Sequence, residues 1–144
     1  MRHRSIPMTH PPILGTLESA LYTDDLAEAE AFYHGLIGLP VLARAGDRHI
    51  FFQVGEGVLL VFNPAETVKP PGNPALPVPP HGTKGQGHYC FAVPPEALDL
   101  WRRRLEEAGV EIEADFHWPN GARSIYVRDP AGNSIEFADP AIWS

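Results

Sequence analysis

Two stretches of this 144-residue chain spell the same order of elements, and that internal repeat narrows the fold further than anything else in it. In the first stretch a strand at about 16–23 runs into Asp24 and Asp25, which offer N-caps, with Glu28 at capping-box spacing from Asp25. Leu26, Ala29, Phe32, Tyr33, Leu36 and Ile37 then recur at helical spacing, and Gly38 stands where a C-cap glycine belongs. Three β-rich runs follow, LPVLARA, HIFFQV and VLLVFN, with AGDR and GEG as their turns. The second stretch repeats this. GHYCFAV reads as a strand and PPEALDLWRRRLEEAG as a helix, with Pro95 in its first turn and Gly109 at its end. VEIEAD, RSIYVRD and NSIEFAD are three more strands, joined by PNGA and DPAGN. The pattern predicts an α+β fold of two βαβββ modules, 15–63 and 88–138, that build a curved mixed sheet or cup within one domain, 15–138.

Between the modules, residues 64–87 carry seven prolines from Pro64 to Pro80 and glycines at 82, 85 and 87, a composition that predicts a loop without regular structure. Residues 1–14 and 139–144 read as tails. A net charge of -7 argues against nonspecific attraction to nucleic acid or an anionic membrane. No apolar run approaches the ~18 residues of a membrane span, and the first residues lack the apolar core of a signal peptide. With Cys90 as the single cysteine, an internal disulfide is excluded. The expectation is a cytoplasmic protein whose partner is a small molecule.

Superposing the repeats places Glu18 on His88, each in a first strand and on the same face. Aligning the last strands through Phe62 and Phe137 sets Val61 opposite Glu136. Singly, a strand glutamate is ordinarily a solvent-facing charge, and a histidine a satisfied core residue. At repeat-related positions the three together suggest a ligand set of two carboxylates and an imidazole. Such a set suits Zn²⁺, Mn²⁺, Fe²⁺, Co²⁺ or Ni²⁺. Alternation along HIFFQV turns His49, Phe51 and Gln53 inward, with His49 a candidate acid or base. Aligning Ile50 with Ile125 does the same for Ser124, Tyr126 and Arg128. The segment PPHGTKGQGH could fold over the cup and bring His81 or Lys84 to a substrate. Cys90 reads as a small packing residue.

The segments LESALYTDDLAEAEAFYHGLIGLPV, GHYCFAV and SIYVRDPAGNSIEF, in their paired order, resemble the vicinal oxygen chelate superfamily of glyoxalases, extradiol dioxygenases and fosfomycin- and bleomycin-resistance proteins. The resemblance implies a glyoxalase-like fold with Glu18, His88 and Glu136 as metal ligands, Glu136 also acting in catalysis. It implies that the place near Val61, which holds a fourth ligand in lactoylglutathione lyases, holds none here. Ser124 and Tyr126 match a Ser-x-Tyr pair that lies near substrate in the resistance enzymes, and Phe51, Arg128 and His81 join them as substrate-contact candidates. The expected activity is that of a divalent-metal-dependent lyase, isomerase or ring-cleaving dioxygenase acting on a molecule with adjacent oxygens, in a homodimer. The alternative is a metal-free protein that sequesters a drug-like ligand.

Overall fold

The computed structural model describes residues 10–144, so most of the expected N-terminal tail lies outside the described residues. The first module comprises β1 (Glu18–Tyr22), α1 (Leu26–Glu30), β2 (Val41–Ala45), β3 (His49–Val54) and β4 (Gly57–Phe62). Asp25 caps α1 by accepting the Glu28 amide at 3.0 Å. The helix then widens into a π-helical turn over Ala31–Leu36, which seats both Phe32 and Tyr33 in the core. The second module comprises β5 (His88–Ala92), a 3₁₀ turn at Pro95–Ala97, α3 (Leu98–Glu107), β6 (Ala114–His117), β7 (Arg123–Arg128) and β8 (Ser134–Ala138). Strand orders are β1-β4-β3-β2 and β5-β8-β7-β6, so the repeat extends to topology and leaves β1 and β5 as sheet edges. The first pair of each sheet is parallel and the rest are antiparallel.

One core serves both sheets. Leu21, Ile50, Phe52, Leu59 and Val61 from the first pack with Phe91, Ile125, Val127, Ile135 and Phe137 from the second, around Phe32, Tyr33, Leu98 and Leu105. Burial of each large apolar side chain contributes about 1.5–3 kcal/mol. Because side chains alternate along a strand, everything pointing away from this core lies on two outer faces, one per sheet. On the first are Glu18, Ala20, Tyr22, His49, Phe51, Leu60 and Phe62; on the second are His88, Cys90, Ser124, Tyr126 and Glu136. Each sheet therefore carries an outer face of its own, the first with Glu18 and the second with His88 and Glu136.

The DPAGN turn ties the modules together. Asp129 Oδ1 accepts the amides of Ala131 and Asn133, and its Oδ2 accepts the Tyr33 hydroxyl at 2.6 Å and Asn133 Nδ2 at 3.0 Å. Burial and the Asp129 carboxylate push the Tyr33 phenol far above its ordinary range, so it stays a donor. Asn133 in turn donates to the Tyr22 carbonyl and accepts the Gly87 amide. The residue before His88 is thereby fixed to the loop before β8, which carries Glu136.

Three expectations need correction. Register pairs Cys90 with Glu136 and Ala20 with Leu60, so Leu60 and not Val61 occupies the place equivalent to Glu136. Five residues separate Arg128 from Ser134, but only four separate their counterparts Gln53 and Val58. Aligning the two phenylalanines hid that extra residue, and a slip of one exchanges the faces of a strand. The consequence for coordination is unchanged, since leucine cannot ligate either. Second, the VEIEAD strand starts late: Val110 still bonds back to Leu105 of α3, the Glu113 amide donates to the Tyr126 carbonyl, and the ladder proper begins at Ala114. Third, residues 64–87 are not wholly irregular. Pro64–Thr67 forms a helical turn, α2, whose N-cap Asn63 accepts the Ala65 amide. Residues 140–143 form a 3₁₀ turn that Asn120 holds through the Ala141 and Ile142 carbonyls. Among the described residues no helix is long and apolar enough to cross a membrane.

Candidate functional site

The second outer face is built on β5, β8 and β7, with Cys90, Glu136 and Tyr126 in register across the three strands. Glu136 is only 5% exposed, an expensive place for a carboxylate unless its oxygens are engaged. Oε2 accepts the Ser124 hydroxyl at 2.6 Å, and Ser124 itself accepts the Trp118 indole N–H at 2.8 Å. Oε1 lies 3.3 Å from His88 Nε2. The other ring nitrogen, Nδ1, is 3.0 Å from the Ser134 carbonyl. A carbonyl can only accept, so Nδ1 carries a proton, and Nε2 is the ring nitrogen turned toward Glu136 Oε1. One imidazole nitrogen and one carboxylate oxygen, each oriented from behind by a hydrogen bond, fit a divalent cation.

Around this pair the face is aromatic. Tyr126 stacks on His88 at 6.1 Å between ring centres and on Phe116 at 5.8 Å, and Phe116 meets Trp118 at 4.8 Å. Desolvation and the neighbouring Glu136 carboxylate push the Tyr126 phenol up to about 12. The same two causes raise the Cys90 thiol to about 12, although the residue is exposed in the single chain. That is the opposite of an activated thiolate.

The remaining candidates divide between the two faces. Glu18 lies on the first outer face, and among the described residues no group of three His, Cys, Asp or Glu side chains converges within the chain. His49 stands with Phe51, Tyr22, Phe62 and His81 around a groove that Glu18 also lines. Arg48 donates to His49 Nδ1 at 2.7 Å, which puts the imidazole proton on Nε2. Burial and the Arg48 charge lower the His49 pKa, so at neutral pH its ring is a hydrogen-bond donor at Nε2 and carries no charge. His81 shares a 2.7 Å hydrogen bond with the Tyr22 hydroxyl. The Pro/Gly-rich segment thus lies over the first sheet, while Lys84 lines a different hollow near Thr23 and Asn63. Arg128 grips Glu113 with two N–H groups, at 2.7 and 3.0 Å, and the Gly132 carbonyl with a third, leaving little of its fork for a substrate.

Trp118 is the functional neighbour that sequence reasoning missed. It follows the last strand residue His117 and precedes the PNGA turn, so no periodicity marks its direction. The turn closes on its backbone, with the Gly121 amide donating to the Trp118 carbonyl and the Trp118 amide to Ala122, and this aims the indole back at Ser124. Substituting Trp118→Phe keeps the ring and removes the donor. Outer-shell losses of this kind cost about 10–100-fold in metal affinity, and a drop of that order in a metal titration is the expected result. An unchanged affinity would show the indole N–H to be dispensable.

The chain is similar to several known proteins. A crystal structure of lactoylglutathione lyase from Agrobacterium tumefaciens matches with 41% identity and a TM-score of 0.87, covering 93% of this chain and 99% of that one. Glutathione transferase FosA from Serratia marcescens is 31% identical over 117 residues, 81% of this chain and 74% of the relative. Metallothiol transferase FosB from Bacillus licheniformis is 24% identical over 137 residues, 94% of this chain and 82% of the relative. A family model matches residues 14–137, and the chain belongs to the Glyoxalase/Bleomycin resistance protein/Dioxygenase superfamily.

Proposed function

We propose that the protein is a divalent-metal-dependent lyase or isomerase acting on a small molecule with oxygens on adjacent carbons, and that its site is shared between two copies of the chain. His88 and Glu136 come from one copy and Glu18 from the other. The observation that carries this reading is the Glu136–His88 pair, whose Oε1 and Nε2 face one another at 3.3 Å while hydrogen bonds from Ser124 and to Ser134 hold their far sides. A divalent ion bound there supplies Lewis-acid polarisation of a substrate carbonyl. Glu136 is the buried carboxylate of this face, and proton transfer between adjacent substrate carbons is assigned to it. His49, at the opposite end of the first face from Glu18, offers its Nε2–H to the part of the substrate remote from the metal. Such a transfer moves one proton and needs no co-reactant. A set of one imidazole and two carboxylates departs from the two-histidine, one-carboxylate triad of iron oxygenases, which favours lyase or isomerase chemistry over ring cleavage. The similarity to a lactoylglutathione lyase points the same way.

Sharing between copies is favoured by the unpaired edges β1 and β5 and by the half-open aromatic surface of the second sheet, where Phe116 and Trp118, at its opposite edge, are each 37% exposed. In a two-fold dimer every shared site draws residues from both chains. Glu18→Ala and His88→Ala homodimers are each expected to lose stoichiometric metal. A mixed dimer, isolated through two different tags, places both lesions in one site and leaves the other whole. It is expected to recover about one metal ion per dimer. A mixed dimer as empty as its parents sinks the shared site.

A further inference from the structure

The groove on the first outer face has a volume of about 590 Å³, within the range of small-molecule pockets. Its walls are Tyr22, Phe51 and Phe62, covered by Pro79 and Pro80 of the strap, which His81 fastens to Tyr22. Phe51 and Phe62 meet edge to face at 5.4 Å, and Phe62 and His81 at 4.6 Å, so the rings already brace one another. Into this apolar surface projects a single guanidinium. Arg48 lies 5.4 Å from the centre of the Phe62 ring and spends one N–H on His49. No carboxylate among the described residues forms an ion pair with it; Arg103 and Arg104 also lack one but are exposed on α3, whereas Arg44, Arg102, Arg123 and Arg128 are paired. A half-buried, unpaired arginine in a chain of net charge -7 calls for an anion from outside.

The strand register supplies a length. Glu18 begins β1 and Tyr22 ends it, while His49, beside Arg48, pairs across Phe62 with the Tyr22 end. Four residue steps at about 3.3 Å separate the ends by roughly 13 Å. We propose that this groove is the recognition pocket of the substrate, and that it takes an elongated aromatic molecule carrying one carboxylate-like anion, with the anion at Arg48 and the reacting oxygens at the Glu18 end. A glutathione conjugate, with two carboxylates and an ammonium group on a flexible polar chain, matches neither the aromatic walls nor the lone cation. The inference rests on the proposed metal site only for what happens at the Glu18 end.

Binding of cinnamate, of its uncharged isostere cinnamamide and of S-methylglutathione, measured by calorimetry with and without a chelator, tests this. Cinnamate is expected to bind at least about tenfold more tightly than cinnamamide, the discrimination a charge-assisted hydrogen bond provides. Arg48→Gln should erase that preference and leave cinnamamide binding unchanged. Phe51→Leu, which removes the ring but keeps an apolar side chain at a position outside the buried core, should weaken both aryl ligands about 3–10-fold. Metal content is determined on the same samples. A charge preference that persists in protein unable to hold metal supports the pocket while the metalloenzyme reading fails. Equal binding of cinnamate and cinnamamide by metal-loaded protein, or tighter binding of S-methylglutathione, overturns the pocket.

Discussion

Glu136→Gln is expected to empty the metal site and abolish activity while leaving the fold in place. The substitution keeps the shape of the side chain and an oxygen that still accepts the Ser124 hydroxyl, now 2.6 Å from the carboxylate. What it removes is the charge and the Oε1 donor that lies 3.3 Å from His88 Nε2. Outer-shell losses already cost about 10–100-fold in metal affinity, so losing a ligand is expected to cost at least about a hundredfold. Metal analysis after dialysis, set beside a thermal melt, separates this from misfolding. A variant that retains one equivalent of divalent metal would falsify the assignment of Glu136 as a ligand.

Asp129→Ala is expected to strike stability instead. The carboxylate accepts four hydrogen bonds, from the Tyr33 hydroxyl, the Asn133 side chain and the amides of Ala131 and Asn133. Tyr33 is fully buried and Asn133 is 2% exposed, so truncation strands donors that water cannot reach. At about 1–3 kcal/mol for each buried unsatisfied group, the loss is about 3–5 kcal/mol, a large share of the 5–15 kcal/mol typical of a domain. A melting temperature lower by roughly 10–20 °C follows. The damage should reach the site as well, since Asn133 holds the Gly87 amide just before His88. Replacement by Asn, which keeps an acceptor, should cost less than half as much. A melting point within ~2 °C of the parent for Asp129→Ala would show that the network around the DPAGN turn is not what joins the modules.

Much of this was legible in the residues because it is local. Alternation along a strand assigned His49, Phe51, Ser124 and Tyr126 to one side and Ile50, Phe52, Ile125 and Val127 to the other, and the burial of the second set agrees. The Asp25 cap and the paired order of elements are equally local signals. Glu136 and His88 could be singled out because a charge or imidazole in an apolar strand is visible without coordinates. Tertiary packing decided the rest. Which faces of the two sheets share a core is set by contacts far apart in the chain, and it turned Glu18 away from His88 and Glu136. The extra residue in the β7–β8 turn moved the counterpart of Glu136 from Val61 to Leu60, because register depends on turn closure as well as on matching side chains. Trp118 reached Ser124 by a turn, and the strap brought Pro79, Pro80 and His81 over Phe62 across a wide gap in sequence. Periodicity tells a residue which way to point, but only the closed chain determines what it meets there.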